Sequence, residues 1–227
     1  MIYITGDVHG DIDFGKFVHL RANNVSLDDY LVILGDAGIC WSPEFTRKII
    51  SMYRKLNITV IFLDGNHENF DMLESLPLVE YKGALMHQID DHIFHVLRGE
   101  IMEIDGYTML CIGGANSIDK HLRTEHISWW AQEDITDHDI DNAVWNLGRY
   151  KNKVDFVLTH CVDSPTVKEA FHFHTDHSSD QLNFVDRVVD YNRWFFGHYH
   201  YDVPVGKKKE CVYQRIIKLE KKSGLTN

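Results

Sequence analysis

Short apolar runs and amphipathic segments alternate along the first third of the chain. Three runs have strand length and are apolar on both faces: Ile2–Thr5, Tyr30–Leu34 and Ile58–Leu63. Between them, apolar residues recur at helical spacing over Phe14–Arg21. Ser42-Pro43 is a helix start that predicts a second helix to about Leu56. This order of elements predicts a parallel sheet that is covered by helices on its faces.

In the middle of the chain, strand-like segments follow one another directly. Glu100–Ile104 and Tyr107–Ile112 are joined by Asp105-Gly106, which is a hairpin signal. His92–Leu97 precedes them and has the same character. This part of the sequence therefore predicts antiparallel pairing.

The last third of the chain returns to alternating helices and strands. Thr136 predicts a helix to about Tyr150, and Ser178 predicts another to about Asn192. Strands are predicted at Val154–Thr159, Trp194–Phe196 and Cys211–Leu219. No repeat and no Pro/Gly/Ser-rich linker divides the sequence. We therefore expect residues 1–227 to form a single α/β domain.

Composition and charge narrow the class of protein. The chain has 227 residues, of which 44% are hydrophobic, and this excludes extensive disorder. No apolar run is long enough to cross a membrane. The net charge of −11 argues against high-affinity binding of duplex nucleic acid. Four scattered cysteines and the lack of a leader pattern predict a cytoplasmic location.

Polar residues follow several of the predicted strands at the point where each strand ends. They are Asp7, Asp36, Asn66, His160 and His198. Ligand sites of open α/β sheets lie at the carboxyl ends of the strands. Mixed carboxylate, amide and imidazole ligands suit Mn, Fe or Zn better than calcium. Two such ions close together supply what the hydrolysis of a phosphate ester needs, an activated water and positive charge.

Five motif blocks carry a resemblance to a known family. They are Asp7-Val8-His9-Gly10-Asp11, Gly35-Asp36, Gly65-Asn66-His67-Glu68, Thr159-His160 and Gly197-His198-Tyr199-His200. In this order they resemble the calcineurin-like metallophosphoesterases, in particular the small bacterial and phage-type phosphoesterases. The resemblance implies a four-layer α/β/β/α sandwich with two mixed β-sheets and a dinuclear metal centre.

The resemblance also implies the role of each motif residue. One divalent transition-metal ion would be bound by Asp7, His9 and His200. The other ion would be bound by Asn66, His160 and His198. Asp36 would bridge the two ions, which we expect to be Mn, with Fe, Zn, Ni or Mg as alternatives. A hydroxide between the metals would attack phosphorus, and His67 would protonate the leaving oxygen as general acid.

The second block departs from the protein phosphatase form Gly-Asp-x-x-Asp-Arg-Gly. Ile39 stands where an Asp would orient the catalytic histidine, and Cys40 stands where an Arg would clamp phosphate. This departure argues against protein phosphatase activity. Glu68 and Asp11 are the candidates to orient His67 in place of the missing carboxylate.

Substrate contacts are expected from a polar loop and from one aromatic residue. The Gly113–Arg123 loop resembles that of the small phosphoesterases, so that Arg123 or Lys120 could pair with phosphate. The alternative is a surface ion pair between Asp119 and Arg123, which are one helical turn apart. Trp41 follows Asp36 closely and is expected to line the site.

The sequence thus predicts metal-dependent hydrolysis of a small phosphorylated substrate, with a phosphomonoester as first choice. A phosphodiesterase acting on short or cyclic nucleotides is the first alternative. A non-catalytic metal-binding interaction module is the second. The cluster of His172, His174 and His177 predicts a surface loop, with a role at the site rim or at a third metal as the alternative. The pattern does not fix the substrate, the oligomeric state or the native metal.

Overall fold

The computed structural model of the chain describes residues 1–22 and 25–222. Its strands, in chain order, are β1 (Ile2–Thr5), β2 (Tyr30–Ile33), β3 (Thr59–Phe62), β4 (Leu78–Tyr81), β5 (Ala84–Asp90), β6 (Ile93–Val96), β7 (Glu100–Ile104), β8 (Tyr107–Ile112), β9 (Lys153–Thr159), β10 (Asp190–Phe196), β11 (Val203–Val205), β12 (Lys209–Cys211) and β13 (Ile217–Leu219).

The α-helices are α1 (Val18–Ala22), α2 (Pro43–Arg54), α3 (Phe70–Glu74), α4 (Asp137–Arg149), α5 (Ser164–Thr166), α6 (His177–Gln181) and α7 (Val185–Val188). Short 3₁₀ turns lie at Phe14–Phe17, Lys120–Leu122, Ala131–Glu133 and Leu182–Phe184, and a π-helical turn lies at Val167–Phe171. Within the described part of the chain, no helix has the length and apolar character needed to cross a membrane.

The strands form two mixed sheets. The first has the order β13-β1-β2-β3-β6-β5-β4, in which β1, β2, β3 and β6 run parallel and the outer pairs are antiparallel. The second has the order β11-β12-β10-β9-β8-β7, in which β12, β10, β9 and β8 run parallel. Parallel strands therefore occupy the middle of both sheets, and antiparallel pairs lie at the edges.

Three apolar cores separate four layers. The central core joins the two sheets and includes Val32 and Leu158. On the outer face of the first sheet, Leu20 of α1 and Tyr53 of α2 belong to a second core. On the outer face of the second sheet, Leu147 of α4 belongs to the third. The predicted α/β/β/α sandwich with two mixed β-sheets is thus confirmed.

The two longest helices begin where their caps predict. The Ser42 hydroxyl accepts a hydrogen bond from the Phe45 amide at 3.3 Å, and Pro43 occupies the first turn of α2. Thr136 and Asp139 form a reciprocal capping box at the start of α4. Both caps satisfy amides that the first helical turn leaves unpaired.

Two predictions for the last third of the chain are wrong. The helix expected from Ser178 to Asn192 begins after the Asp176 cap and breaks up by Val188. The β-branched pair Val188-Val189 leads into β10, which begins at Asp190 and pairs with β9 along its length. The strand expected over Cys211–Leu219 is two strands, because β12 pairs in the second sheet and β13 pairs with β1 in the first.

Candidate metal centre

The predicted ligands converge because the parallel strands of both sheets end at one edge. Asp7, Asp36 and Asn66 follow β1, β2 and β3 of the first sheet. His160 and His198 follow β9 and β10 of the second sheet. Both sheets therefore supply side chains to one centre, as expected for the carboxyl ends of strands.

Asp36 lies between the two predicted ligand sets, which form the two halves of the centre. Its Oδ2 is 3.5 Å from His9 Nε2 and 3.6 Å from His160 Nε2. Its Oδ1 accepts a hydrogen bond from the His67 amide at 2.7 Å. Burial would raise the pKa of Asp36, but the neighbouring His160 imidazole outweighs it and holds that pKa well below the ordinary value. Asp36 thus lies between an imidazole of each predicted ligand set.

Asp7 contacts the imidazole of His200 and the backbone of His198. Its Oδ2 lies 3.0 Å from His200 Nε2, and its Oδ1 accepts from the His198 amide at 2.9 Å. The donor atoms of Asp7, His9 and His200 lie within 4.8 Å of one another, which is the first predicted ligand set. Those of Asp7, Asp36 and His160 do so as well. Asp7 therefore borders both halves of the centre.

Hydrogen bonds on the far side of two imidazoles fix which nitrogen faces the centre. His160 Nδ1 donates to the Leu34 carbonyl at 2.7 Å, since a carbonyl only accepts. His9 Nδ1 lies 2.8 Å from Asp13 Oδ2 and donates for the same reason. Nε2 of both rings thereby faces Asp36 while Nδ1 is held on the far side, the arrangement that metal-binding histidines usually have.

Asn66 is oriented by two residues whose role the sequence reasoning missed. Its side-chain amide donates to Ser117 Oγ at 3.0 Å, which leaves Oδ1 facing His160 Nε2 at 3.2 Å. Ser117 in turn donates from Oγ and from its backbone amide to the carboxylate of Glu133, at 2.8 and 2.6 Å. Glu133 is fully buried, and burial raises its pKa. This chain of hydrogen bonds presents an amide oxygen to the centre.

The segment His198-Tyr199-His200 is not extended. His198 and His200 have φ values of 66° and 56°, in the left-handed region. The chain therefore bends at both residues. The His198 ring packs edge-on against the His160 ring, with centroids 5.0 Å apart. Both histidines still reach the centre, through turns rather than through a shared strand face.

Glycines allow the strand-end turns to pack against one another. Gly35 has a φ of 96°, and a Cβ at this position would collide with the His160 ring. A Cβ on Gly65 would collide with the Asp36 carboxylate. Glycine is required at these two positions because ligand side chains occupy the space.

The donor set fits divalent transition-metal ions. The Asp7 and Asp36 carboxylates are almost completely buried beside each other, and two buried anions need compensating positive charge. Imidazole nitrogens and one amide oxygen complete the set, a mixture that favours such metals over calcium. Divalent cations bound here would compensate the charge of these buried carboxylates.

His67 lies beside the centre on the wall of a cavity of about 530 Å³. Asp36, Asn66, His198 and His200 line the same cavity. Burial lowers the pKa of His67, with the Arg123 guanidinium contributing to the same effect. The predicted catalytic residue and four of the seven predicted metal ligands therefore face one space that can hold a substrate.

Neither residue that the sequence suggested for orienting His67 contacts it. Glu68 is fully buried, turns away from the cavity and accepts a hydrogen bond from the Ala37 amide at 3.0 Å. Burial raises the pKa of Glu68 well above its ordinary value. Asp11 is paired with Lys48 at the surface. The contact to His67 Nδ1 comes instead from Arg123 Nη1, at 2.9 Å.

The three predicted substrate contacts lie in different places. Arg123 lines the cavity, where a residue that contacts substrate was expected. It also forms the ion pair with Asp119 that was the alternative expectation. Lys120 Nζ lies 4.0 Å from Asp134 Oδ2, outside the cavity lining. Trp41 packs edge-on against Trp130, with ring centroids 5.7 Å apart, and is also outside the lining. The structure thus brings only Arg123 of this set to the site.

The histidine cluster after β9 lies at the rim of the cavity. His172 and His174 line it together with Phe173, whose side chain is exposed. His177 instead begins α6, where its ring contacts the Gln181 amide. Among the described residues, these histidines belong to no group with the spacing of metal ligands. The rim position is the alternative that the sequence had left open.

Comparison with known proteins identifies the family. The sequence model of the calcineurin-like phosphoesterase family matches residues 1–202, and the chain belongs to that family. Membership indicates a hydrolase acting on phosphoesters with a dinuclear metal centre. No curated protein matches the sequence significantly.

The solved structures that are similar to the chain include the following two. TT1561 of Thermus thermophilus shares the fold with a TM-score of 0.51 and 10% identity, over 93% of this chain and 87% of that chain. The phosphopantetheinyl hydrolase PptH from Mycobacterium tuberculosis has a TM-score of 0.42 and 13% identity, over 93% and 87% of the two chains.

Proposed function

We propose that the protein is a dimetal-dependent phosphoester hydrolase that acts first on phosphomonoesters. The observation that supports this most is the buried pair Asp7 and Asp36, which imidazole Nε2 atoms surround. This cluster opens into a cavity that also holds His67. A centre for cations and a hydrogen-bonding side chain beside it are the two parts that phosphoester hydrolysis requires.

We assign one metal to Asp7, His9 and His200 and the other to Asn66, His160 and His198, with Asp36 between them. Divalent ions bound there would supply positive charge and a water of lowered pKa. Mn is our first choice of metal. The protein's own contribution is to hold the ligands in place through Asp13, Leu34 and Ser117, as their hydrogen bonds support.

The cavity suggests an organic group of moderate size on the phosphate. Phe173 and Ile118 are exposed on its lining, and Tyr199 stacks behind them on Phe171 with ring centroids 4.6 Å apart. Apolar and aromatic surface of this kind suits the alcohol part of a small ester. We therefore propose a small phosphorylated molecule as the substrate, and a cytoplasmic location stays a prediction.

One observation favours a diester as second candidate. Arg123 is the cationic side chain on the cavity lining, within the part of the chain that the structure describes. Its guanidinium already contacts Asp119, His67 and the Ser128 carbonyl. A monoester dianion needs more compensating charge than a diester monoanion. Diester hydrolysis is therefore the alternative to test beside the first choice.

The test is a paired assay on protein stripped with a chelator and reloaded with Mn²⁺. p-Nitrophenyl phosphate and bis(p-nitrophenyl) phosphate are compared at equal concentration. Metal-dependent hydrolysis with preference for the monoester supports the proposal. Preference for the diester moves the function to the second candidate. Hydrolysis of neither ester by metal-loaded protein overturns both.

A further inference from the structure

Arg123 lies between His67 and Asp119, and its contact with His67 is one that the sequence did not predict. Arg123 Nη1 lies 2.9 Å from His67 Nδ1 and 3.3 Å from the Ser128 carbonyl oxygen. The other edge of the guanidinium faces Asp119, with Nη2 2.9 Å from Oδ2 and Nε 2.8 Å from Oδ1. Arg123 is therefore held on two sides by the protein itself.

This contact determines where the His67 ring carries its proton. A guanidinium only donates hydrogen bonds, so His67 accepts at Nδ1 and its proton lies on Nε2. A proton on Nδ1 would point at an N–H group of Arg123. The backbone of His67 is also fixed, because its amide donates to Asp36 at 2.7 Å. Neighbouring groups thus set both the orientation and the tautomer of the ring.

We propose that Asp119 and Arg123 form a positioning pair that holds His67 with its proton on Nε2, as a hydrogen-bond donor to the leaving oxygen. The proposal rests on phosphoester hydrolysis as the proposed function. Complete transfer of this proton would leave an imidazolate. The His67 hydrogen bond therefore stabilises negative charge on the leaving oxygen. A water molecule then protonates the departing alkoxide and becomes hydroxide.

The alternative role for Arg123 is a direct clamp on the phosphate. A clamp requires two parallel N–H groups on one free edge of the guanidinium. Here the Nε and Nη2 edge faces Asp119, and Nη1 is shared between His67 and Ser128. The arrangement thus favours action through His67 over direct contact with substrate.

A double-mutant cycle separates the two roles. Arg123→Gln and Asp119→Asn are each measured alone and combined with His67→Asn, using phenyl phosphate and p-nitrophenyl phosphate. Arg54→Gln is the matched control, because Arg54 forms a comparable ion pair with Asp90 on the surface. Circular dichroism and thermal melting confirm that each variant is folded.

We expect Arg123→Gln to lower kcat for phenyl phosphate by about 10- to 100-fold with KM unchanged, because a misplaced His67 loses its hydrogen bond to the leaving oxygen. The loss should be smaller for p-nitrophenyl phosphate and absent on the His67→Asn background. Asp119→Asn should show the same pattern more weakly. A raised KM, together with an equal loss of kcat on the His67→Asn background, would show that Arg123 clamps the phosphate and would overturn the proposal. An unchanged kcat in Arg123→Gln would also overturn it.

A second readout does not depend on activity. In metal-free protein labelled with ¹⁵N-histidine, the His67 signals are those missing from the His67→Asn spectrum. We expect the Nε2–H tautomer in the wild type and a mixture in Arg123→Gln. An Nδ1–H tautomer in the wild type overturns the positioning pair. Absence of phosphoester hydrolysis contradicts the proposed function but not the positioning pair. Failure of the positioning pair can therefore be distinguished from failure of the proposed function.

Discussion

Asp13 Oδ2 lies 2.8 Å from Nδ1 of His9, just beyond the end of β1. The carboxylate can only accept, so His9 donates there and keeps the Nε2 lone pair for the metal centre. The Tyr213 hydroxyl and the Gln214 amide donate to the other carboxylate oxygen and hold it in place. Asp13 therefore fixes the orientation of the His9 ring, which we propose as a metal ligand.

Replacing Asp13→Ala should weaken metal binding by about 10- to 100-fold, because His9 loses its fixed orientation and tautomer. Equilibrium dialysis against Mn²⁺ with elemental analysis measures the change. Asp11→Ala is the matched control, since that carboxylate lies two residues away and pairs with Lys48. Equal affinities of the two variants would show that Asp13 does not support the ligand.

Replacing His67→Asn should leave metal binding intact and lower kcat by about 10²-fold or more. The loss should grow as the leaving group becomes a stronger base, because a hydrogen bond to the leaving oxygen then stabilises more charge. A series of substituted phenyl phosphates measures this dependence. The same loss across the whole series would place the action of His67 elsewhere than at the leaving oxygen.

Replacing Asp36→Asn should reduce the occupancy of both metal positions. The variant keeps an acceptor for the His67 amide but removes the negative charge that lies between His9 and His160. Elemental analysis after dialysis should then find fewer than two ions per chain, with hydrolysis lost in parallel. Asp91→Asn, at an exposed position, serves as the control. Two tightly bound ions in Asp36→Asn would rule out the bridging role.

A histidine pair away from the cavity should make stability depend on pH. His95 Nε2 lies 3.1 Å from Asp64 Oδ1, and His95 Nδ1 lies 3.1 Å from His87 Nδ1. Since the carboxylate accepts, His95 donates to it from Nε2. Burial, together with the His95 ring, lowers the pKa of His87 from 6.5 to about 4.

Between these two values the unfolded chain binds a proton at His87 that the folded chain does not bind. The contribution of His87 is therefore complete above pH 6.5 and is lost as the pH falls towards 4. The slope from one such group is at most about 1.4 kcal/mol per pH unit. Urea unfolding of metal-free protein should show a shallower slope for His87→Gln than for the exposed control His92→Gln. Identical slopes would contradict this assignment.

The convergence of the candidate ligands could be predicted because it depends on local pattern. Asp7, Asp36 and His160 each follow an apolar run, and parallel strands must end at a common edge. Ser117 and Glu133 have no such pattern. Ser117 contacts Asn66 across 51 residues of sequence, through a loop whose path depends on packing. Contacts of this kind are not visible in one sequence.

Backbone conformation explains the other differences from prediction. His198 and His200 adopt left-handed φ values that residues other than glycine rarely have, and no residue type at these positions indicates them in the sequence. The pairing of Asp190–Phe196 with β9 likewise overrides the helical pattern that begins near Ser178. Tertiary contacts determine both features, and the sequence signals around them are weak.

The most direct test is a metal titration of chelator-stripped protein. Bound Mn²⁺ and the rate of p-nitrophenyl phosphate hydrolysis are measured on the same samples. We predict no hydrolysis without metal and a rate that rises until two ions are bound per chain, because Asp7 and Asp36 serve both halves of the centre. Hydrolysis independent of metal, or two bound ions without hydrolysis of any phosphoester, would contradict a dinuclear hydrolase.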